Sequence, residues 1–543
     1  MSVTTVFKTI TNNRLAVFGL MLCLAFALYA NVLRGDFVFD DNIFIENNQF
    51  VKEGNIKAIF MGGISQGSGL NDNFYRPLQQ CLYALSYKLG GKETLYFHFW
   101  NVLFHGCNAF LVFWLLSLLF PNLRNVSFIV SLLFLLHPVQ TQAISYISGL
   151  SEPLSAFFVL SSLIAYYHIT NQKVVYQNLL LALAAVLIGV LALFAKENGV
   201  IVAPLSFLLL AYRYYSQKEP LNLFHKIVPV LLMVCGLSFV YVKLTLLNFT
   251  GNFGLSDQDN IYNDELWVRL FTFINIFTEY VRLLFVPLGL HYETPYTAYV
   301  NLSRPQAVLA LLIIASWAVF GFLGFKKKDY IPAFSLLWFF MSVAPVSGII
   351  PLNSMYLEHW LYMPSIGFLL LMVYWIDKAI GKYSSAWMLL IPVCVAYTSI
   401  VYARNSQWAD AEKFYRNEIK FTKKSARMYN NLAMTLADRK HCDKAVEYYQ
   451  KAIKLYDIYP QSHHNLGRCY EDLGMNVEAA NEYINALMLD PNFQYSHAKL
   501  YNLLLKLNEK QRAENFALLN KKMNSGQRLT QEDIKQAVTL AGQ

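Results

Sequence analysis

For its first four hundred residues the chain runs as long apolar stretches separated by short polar breaks, and then it changes character. A membrane-spanning helix needs about 20 mostly apolar residues to cross about 30 Å of hydrocarbon. Stretches of that kind lie near 14–33, 95–119, 126–148, 151–170, 174–195, 198–214, 225–246, 305–325, 331–350, 361–379 and 386–403. They predict about eleven spans in an all-α, polytopic membrane fold. A further stretch, 266–290, is apolar but carries Glu279 and Arg282.

Basic residues set the expected orientation, because Lys and Arg concentrate in cytoplasmic loops. Lys8 with Arg14, Arg124, Lys173, Arg213 with Lys218 and Lys226, Lys326 to Lys328, and Lys378 with Lys382 all fall between apolar runs. The alternating segments 137–152 and 246–265 contain no Lys or Arg. With eleven spans every basic loop faces inward. Counting 266–290 as a span would turn Lys326 to Lys328 outward, so it reads as a re-entrant or interfacial helix broken near Pro287 and Gly289. The N-terminus is then expected inside, with the 34–94 loop and the C-terminal part outside. The first run, Leu15 to Leu33, is too long for a signal peptide and reads as an uncleaved first span. The stretch Phe74 to Leu89 reads as an amphipathic helix along the bilayer surface.

From about Ser425 charges become frequent and the helices turn amphipathic. Leu432, Ala433, Leu436, Ala445, Tyr449 and Ala452 recur 34 residues later as Leu466, Gly467, Tyr470, Ala479, Tyr483 and Ala486. Pro491 closes the second copy. This is the period and small/large alternation of a tetratricopeptide (TPR) repeat. A third copy, with Leu500, Leu504 and Ala513, reads as a degenerate cap. The expected division is 1–403 for the membrane domain, 404–424 for a linker or helix, and 425–543 for the repeats. Such repeats offer a concave surface to an extended peptide, or serve as a spacer or dimer contact.

Composition agrees. The chain has 543 residues, of which 56% are hydrophobic and 15% charged, with a net charge of +9. The excess charge sits in short loops without interleaved aromatic patches, which argues against nucleic-acid binding. Cys23, Cys107, Cys235 and Cys394 lie in apolar runs, and no Cys-x-x-Cys occurs. Cys442 and Cys469 read as unpaired packing residues or a disulfide. Asn248 and Asn301 head N-glycosylation sequons on the outward side of this topology.

Charges near membrane depth point to function. On the expected outer side lie Asp40 and Asp41, Arg76, His98 with Asn101 and His105, His137, Glu152, Lys196 and Glu197. Glu279 with Arg282, His291, Glu293, Glu358 with His359, and Arg404 join them. Each has a plainer reading. His98, Asn101 and His105 share one helix face and suit inter-helix hydrogen bonds. Glu279 and Arg282 suit a local pair, and Lys196 with Glu197 a membrane-edge pair. As a set they suggest chemistry. Asp40 and Asp41 offer a base, while Arg76, Lys196, Arg282, His359 and Arg404 offer an anion site for a lipid carrying a phosphate. A sugar on that phosphate would leave without a general acid, so a carboxylate base and a few cations suffice. A divalent cation held by Asp40 and Asp41 is the competing reading; otherwise no cofactor is required.

The segments FVFDDNIFIENN, FYRPLQQCLYALSYKLGG with FHFWNVLFHGCNAFLV, HPVQTQAISYISGLSEPL, AKENGVIVAPL, LEHWLYMPSIGF and RNSQWADAEKFY occur in that order across most of 35–500. Together they resemble the transmembrane-and-TPR protein O-mannosyltransferases, a family of GT-C glycosyltransferases that use polyprenyl-phosphate sugars, and their prokaryotic relatives. The resemblance implies a GT-C fold, a lipid-linked sugar donor and a Ser or Thr acceptor on an exported protein held by the TPR part. It implies Asp40 as catalytic base and Asp41 in support. It makes Arg76, His137, Glu152, Lys196, Arg282, His359 and Arg404 candidates for donor or substrate contacts. Leu150 stands where Arg is expected, Gln142 where Glu is, and His359 where Arg is common. The length of the chain suggests a prokaryotic plasma membrane. The alternatives are a transferase acting on an envelope glycan or lipid, and a non-catalytic membrane-anchored TPR scaffold.

Overall fold

A computed structural model describes residues 11–70, 74–246, 260–293, 296–350, 352, 354–381 and 384–539. Lys8, Lys382, Asn248 and most of the 246–265 segment lie outside the described residues. Every regular element among the described residues is a helix. The chain divides into two compact units, Met1–Ala409 and Asp410–Gln543. Residues 404–424 therefore divide, with 404–409 ending the first unit and 410–424 opening the second.

The longer helices of the first unit are α1 (Arg14–Leu28), α2 (Pro77–Gly90), α3 (Thr94–Leu119), α4 (Arg124–Leu136), α5 (Ser151–Tyr167), α6 (Val175–Ala195) and α7 (Val202–Tyr212). They continue as α8 (Leu223–Leu246), α9 (Leu266–Phe285), α10 (Pro305–Lys326), α11 (Tyr330–Val343), α12 (Pro364–Ile380) and α13 (Leu390–Trp408). A helix falls within each of the eleven apolar stretches. By length and composition, seven helices of the described residues can cross a membrane, or eight with one bent pair. The first unit is thus multi-pass, and eleven crossings are not established. The bent pair, Pro121–Leu136 and Pro138–Ile144, turns by 51° at His137. The cause is local: a residue before proline is pushed out of the helical region, and His137 takes φ −67°, ψ 125°.

Helix α3 packs against α1, α2, α4 and α5. Its buried face carries His98, Asn101, His105 and Asn108, polar groups that must be satisfied away from water. Asn101 Nδ2 donates to the carbonyls of Ala143, Tyr146 and Ile147. His105 meets the Tyr362 hydroxyl at 2.8 Å and the Leu135 carbonyl at 3.1 Å. Neither ring nitrogen of His98 has a hydrogen-bond partner among the described residues.

Helix α2 turns polar groups inward as well as apolar ones. Its buried residues include Gln79, Gln80 and Ser86, while Leu85 and Leu89 are exposed. The buried polar groups work as fasteners. Gln79 Nε2 donates to the Ser148 carbonyl at 2.9 Å, and the Tyr83 hydroxyl donates to the Ile147 carbonyl at 2.9 Å. Helix α9 ends at Phe285, before Pro287, and Gly289 takes φ 73°, a left-handed conformation that glycine adopts without a Cβ clash.

The second unit begins with α14 (Ala411–Phe421), which packs on α15 (Ala426–Asp438). Helices α15 with α16 (Cys442–Leu455) and α17 (Pro460–Asp472) with α18 (Asn476–Leu489) form the two copies related by 34 residues. Tyr449 and Tyr483 are fully buried at equivalent positions. Gly467 lets Tyr483 approach, since a Cβ there would fall on the Tyr483 ring. A third hairpin, α19 (Gln494–Lys506) and α20 (Lys510–Asn524), buries Leu500, Leu504 and Ala513. Helix α21 (Gln531–Thr539) packs against α18 and α20. Cys442 and Cys469 are unbridged and buried.

Candidate functional site

The turn before the aspartates is strained. Phe39 takes φ 55°, a left-handed conformation that costs a bulky residue about 1–3 kcal/mol. Its ring packs 4.7 Å from that of Tyr292. Asp41 then precedes a π-helical turn, Asn42–Glu46, a rare ladder that recurs at functional sites. The turn gives the two carboxylates different environments: Asp40 is half-buried and Asp41 fully buried.

Asp41 is held on three sides. Its Oδ2 accepts from the Val38 N–H at 3.0 Å. Its Oδ1 accepts from the Ser148 N–H at 2.9 Å and the Ser148 hydroxyl at 2.5 Å. Burial pushes the Asp41 carboxyl up to about 7, against the pull of these hydrogen bonds. These donors take up three of the carboxylate's four lone-pair positions.

The segment 146–152 organises the rest of the site. The Asp40 N–H donates to the Tyr146 hydroxyl at 3.2 Å. Ser148 holds Asp41. Ser151 accepts from Arg76 at 3.5 Å. Glu152, one residue further, pairs with Lys196. Four contacts to three distant parts of the chain thus come from seven consecutive residues. Their placement follows from the bend at His137 and from Asn101, Gln79 and Tyr83, which take up the carbonyls of the segment.

Beyond it lies a cluster of charges. Lys196 and Glu152 are nearly enclosed, with side chains 6% and 7% exposed. Glu197 faces the other way and accepts from Arg76 Nε at 3.2 Å and Lys243 Nζ at 2.8 Å. The split between adjacent residues has a backbone cause: Lys196 is extended, with φ −161° and ψ 147°, which sends successive side chains to opposite sides. His359 Nε2 lies 3.7 Å from Glu152. Burial, and then the charges of Lys196 and Arg76, hold His359 well below the usual imidazole range, so it is neutral here. The backbone N–H of His359 donates to Gln142 Oε1 at 2.7 Å. Among the described residues three cations, Arg76, Lys196 and Lys243, thus gather around Glu152, Glu197 and a neutral imidazole.

Arg76, Glu152, Lys196 and His359 come together as one group. Arg404 donates to Gln407 at 2.6 Å and lies over the Trp408 ring. Trp408 stacks on Tyr146 at 5.2 Å, so Arg404 reaches Asp40 through two rings. His137 and Arg282 are engaged elsewhere. His137 is fully buried between the Leu284 carbonyl and the Val139 N–H. Arg282 holds Glu279 and the Val286 and Leu288 carbonyls at the end of α9. Sequence reasoning missed Ser148, Tyr146 and Lys243. Lys243, alone among apolar neighbours near the end of a span, was the most visible of them.

A tetratricopeptide repeat model matches residues 424–489. A Caenorhabditis elegans protein named "Protein O-mannosyl-transferase F38B6.6" is 26% identical over 81% of this chain and 63% of its own length. Human "Protein O-mannosyl-transferase TMTC3" is 24% identical over 88% of this chain and 56% of its own. Mouse "Protein O-mannosyl-transferase TMTC4" is 24% identical over 78% and 64%. The chain thus spans somewhat more than half the length of the curated relatives it matches. Over most of its own length it is similar to the TMTC-type protein O-mannosyl-transferases.

Proposed function

We propose that this chain is a membrane glycosyltransferase that moves a sugar, mannose by analogy with its relatives, from a polyprenyl-phosphate donor to a Ser or Thr hydroxyl of an exported protein. One observation carries the reading: the 146–152 segment joins a half-exposed carboxylate, braced by a buried one, to a cluster that gathers three cations. Asp40 takes the proton of the acceptor hydroxyl. The hydroxyl oxygen bonds to the anomeric carbon as the bond from that carbon to the phosphate oxygen breaks. The departing phosphate carries the electron pair away, and Arg76 and its cationic neighbours stabilise it. Asp41 contributes no proton transfer; it fixes the turn that presents Asp40. Glu152 and His359 shape the cation cluster, and Arg404 supports Tyr146 through Trp408. Arg282 and His137 keep the helix ends in place. No cofactor enters this scheme. The repeats orient the acceptor. The setting we propose is a prokaryotic plasma membrane, with Asp40 and the repeats on the outer face.

The test is incubation of the purified protein with labelled polyprenyl-phosphate sugars and an envelope extract, followed by mass spectrometry of the products. Wild type should label proteins at Ser or Thr, and Asp40→Asn should lose at least about a hundredfold in rate. A folded Asp40→Asn protein that transfers sugar at the wild-type rate would remove the proposed base.

A further inference from the structure

Two of the three cations in the cluster share one carboxylate. Arg76 and Lys243 each meet a different oxygen of Glu197, at 3.2 and 2.8 Å. Two cations set on two oxygens of one anion is the arrangement a phosphate group would also satisfy. Exposure separates this half of the cluster from the other. Arg76, Glu197 and Lys243 are 13%, 21% and 20% exposed, against 6% and 7% for Lys196 and Glu152. An entering anion can reach the first three, while Lys196 adds its charge from behind. Lys243 belongs to α8, a peripheral helix. An apolar stripe of Val230, Val234, Leu237 and Tyr241 lies exposed on α8, while Leu232 is buried on its other side. A lipid lying against that stripe would be one helix thickness from the cations.

We infer that Lys243 and Arg76 together bind the phosphate of a lipid-linked ligand, and that Glu197 is the internal competitor for the same two cations. Lys243 would then be a binding residue and Glu197 a regulator of affinity, which sets how readily the lipid phosphate is released. The inference rests on the reading of the first unit as a lipid-phosphate-dependent transferase, but it is tested by binding alone.

The experiment titrates farnesyl phosphate into the full-length detergent-solubilised protein, with farnesol and inorganic phosphate as comparison ligands. Lys243→Gln should weaken farnesyl phosphate about tenfold and Lys243→Arg should hold it near wild type. Glu197→Gln should tighten it several-fold, a gain that no loss of folding can produce. Farnesol and inorganic phosphate should each bind far more weakly than farnesyl phosphate. The inference is overturned if Lys243→Gln, monodisperse and with wild-type melting, binds as wild type does, or if Glu197→Gln binds more weakly. Inorganic phosphate binding as tightly as farnesyl phosphate overturns the lipid assignment. Binding that follows these expectations in a protein that transfers no sugar defeats the transferase reading and leaves this one standing. Transfer that persists with Lys243→Gln binding unchanged does the reverse.

Discussion

Removing the Asp41 carboxylate should loosen the first loop without unfolding the protein. In Asp41→Ala three donors lose their acceptor: the N–H groups of Val38 and Ser148, and the Ser148 hydroxyl. A buried donor left unpaired costs about 1–3 kcal/mol, so the docked loop loses about 3–9 kcal/mol, toward the lower end where a donor finds water. Undocking instead exposes Phe44, Ile45 and Val51, which pack with Tyr83, Phe97 and Ile147. Each of those side chains is worth about 1.5–3 kcal/mol buried, a similar or larger sum. The loop should therefore stay docked in the main population, with its opening made cheaper by roughly 3 kcal/mol. In hydrogen exchange this appears as roughly a hundredfold faster exchange of amides in 38–50 and 146–150, with α10 and α11 unchanged. Ser148→Ala, which removes the hydroxyl and keeps the backbone donor, should show about a tenfold effect confined to the same amides. Wild-type exchange in Asp41→Ala would refute the clamp. So would acceleration spread evenly through the membrane helices.

Four further outcomes are expected. Lys196→Met or Glu152→Leu alone should each destabilise by about 3–5 kcal/mol, and the double variant should recover most of the loss, because a single variant leaves a buried charge unpaired; thermal unfolding of all three in detergent checks this. The Asp41 carboxyl is raised from an ordinary 3.8 to about 7, so its unfolded form ionises first and the folded state loses stability as pH rises from about 4 to about 7. Asp41→Asn should flatten that part of the stability-against-pH profile. In the second unit, burial pushes His463 down, but hydrogen bonds to Glu482 and Asp457 outweigh it and raise the imidazole above its usual range. Its stabilisation is full below about pH 6.5 and fades as pH climbs through the raised value, so exchange in α17 and α18 of the full chain should quicken with alkalinity more in wild type than in His463→Gln, once the intrinsic rate is divided out. Gly467→Ala should cost about 1–3 kcal/mol, because its methyl displaces the Tyr483 ring.

Periodicity made much of this architecture readable. Apolar stretches of span length marked where helices lie, and a 34-residue shift marked the repeats, because both are one-dimensional signals. Pairing in space was harder. Lys196 beside Glu197 reads as a pair along the chain, yet the extended backbone at Lys196 hands its ammonium to Glu152 and leaves Glu197 to Arg76 and Lys243. The amphipathy of α2 did not reveal that Gln79 and Tyr83 tie down the Ser148 and Ile147 carbonyls and Gln80 that of Ile64. Ser148 gave no signal at all, since a serine becomes notable only when a buried carboxylate is set against it. The aspartates were visible as a pair, while the difference in their exposure came from the left-handed Phe39.

The 146–152 segment has a consequence for how such a chain can vary. Its grips at Ser148, Ser151 and Glu152 are three and four residues apart, so they fall along one side of a helical turn. Exchanging one of these side chains weakens one grip. Adding or deleting a single residue between Tyr146 and Glu152 rotates every later grip by about 100° and aims all of them at the wrong partners together. Length here is guarded as closely as composition, for every residue from Tyr146 to Glu152 is buried. A library that varies the length of this segment should keep almost no folded members, and one that randomises its buried residues should keep few, Gly149 least of all, since a Cβ there would fall on the Gln142 and Ala143 carbonyls.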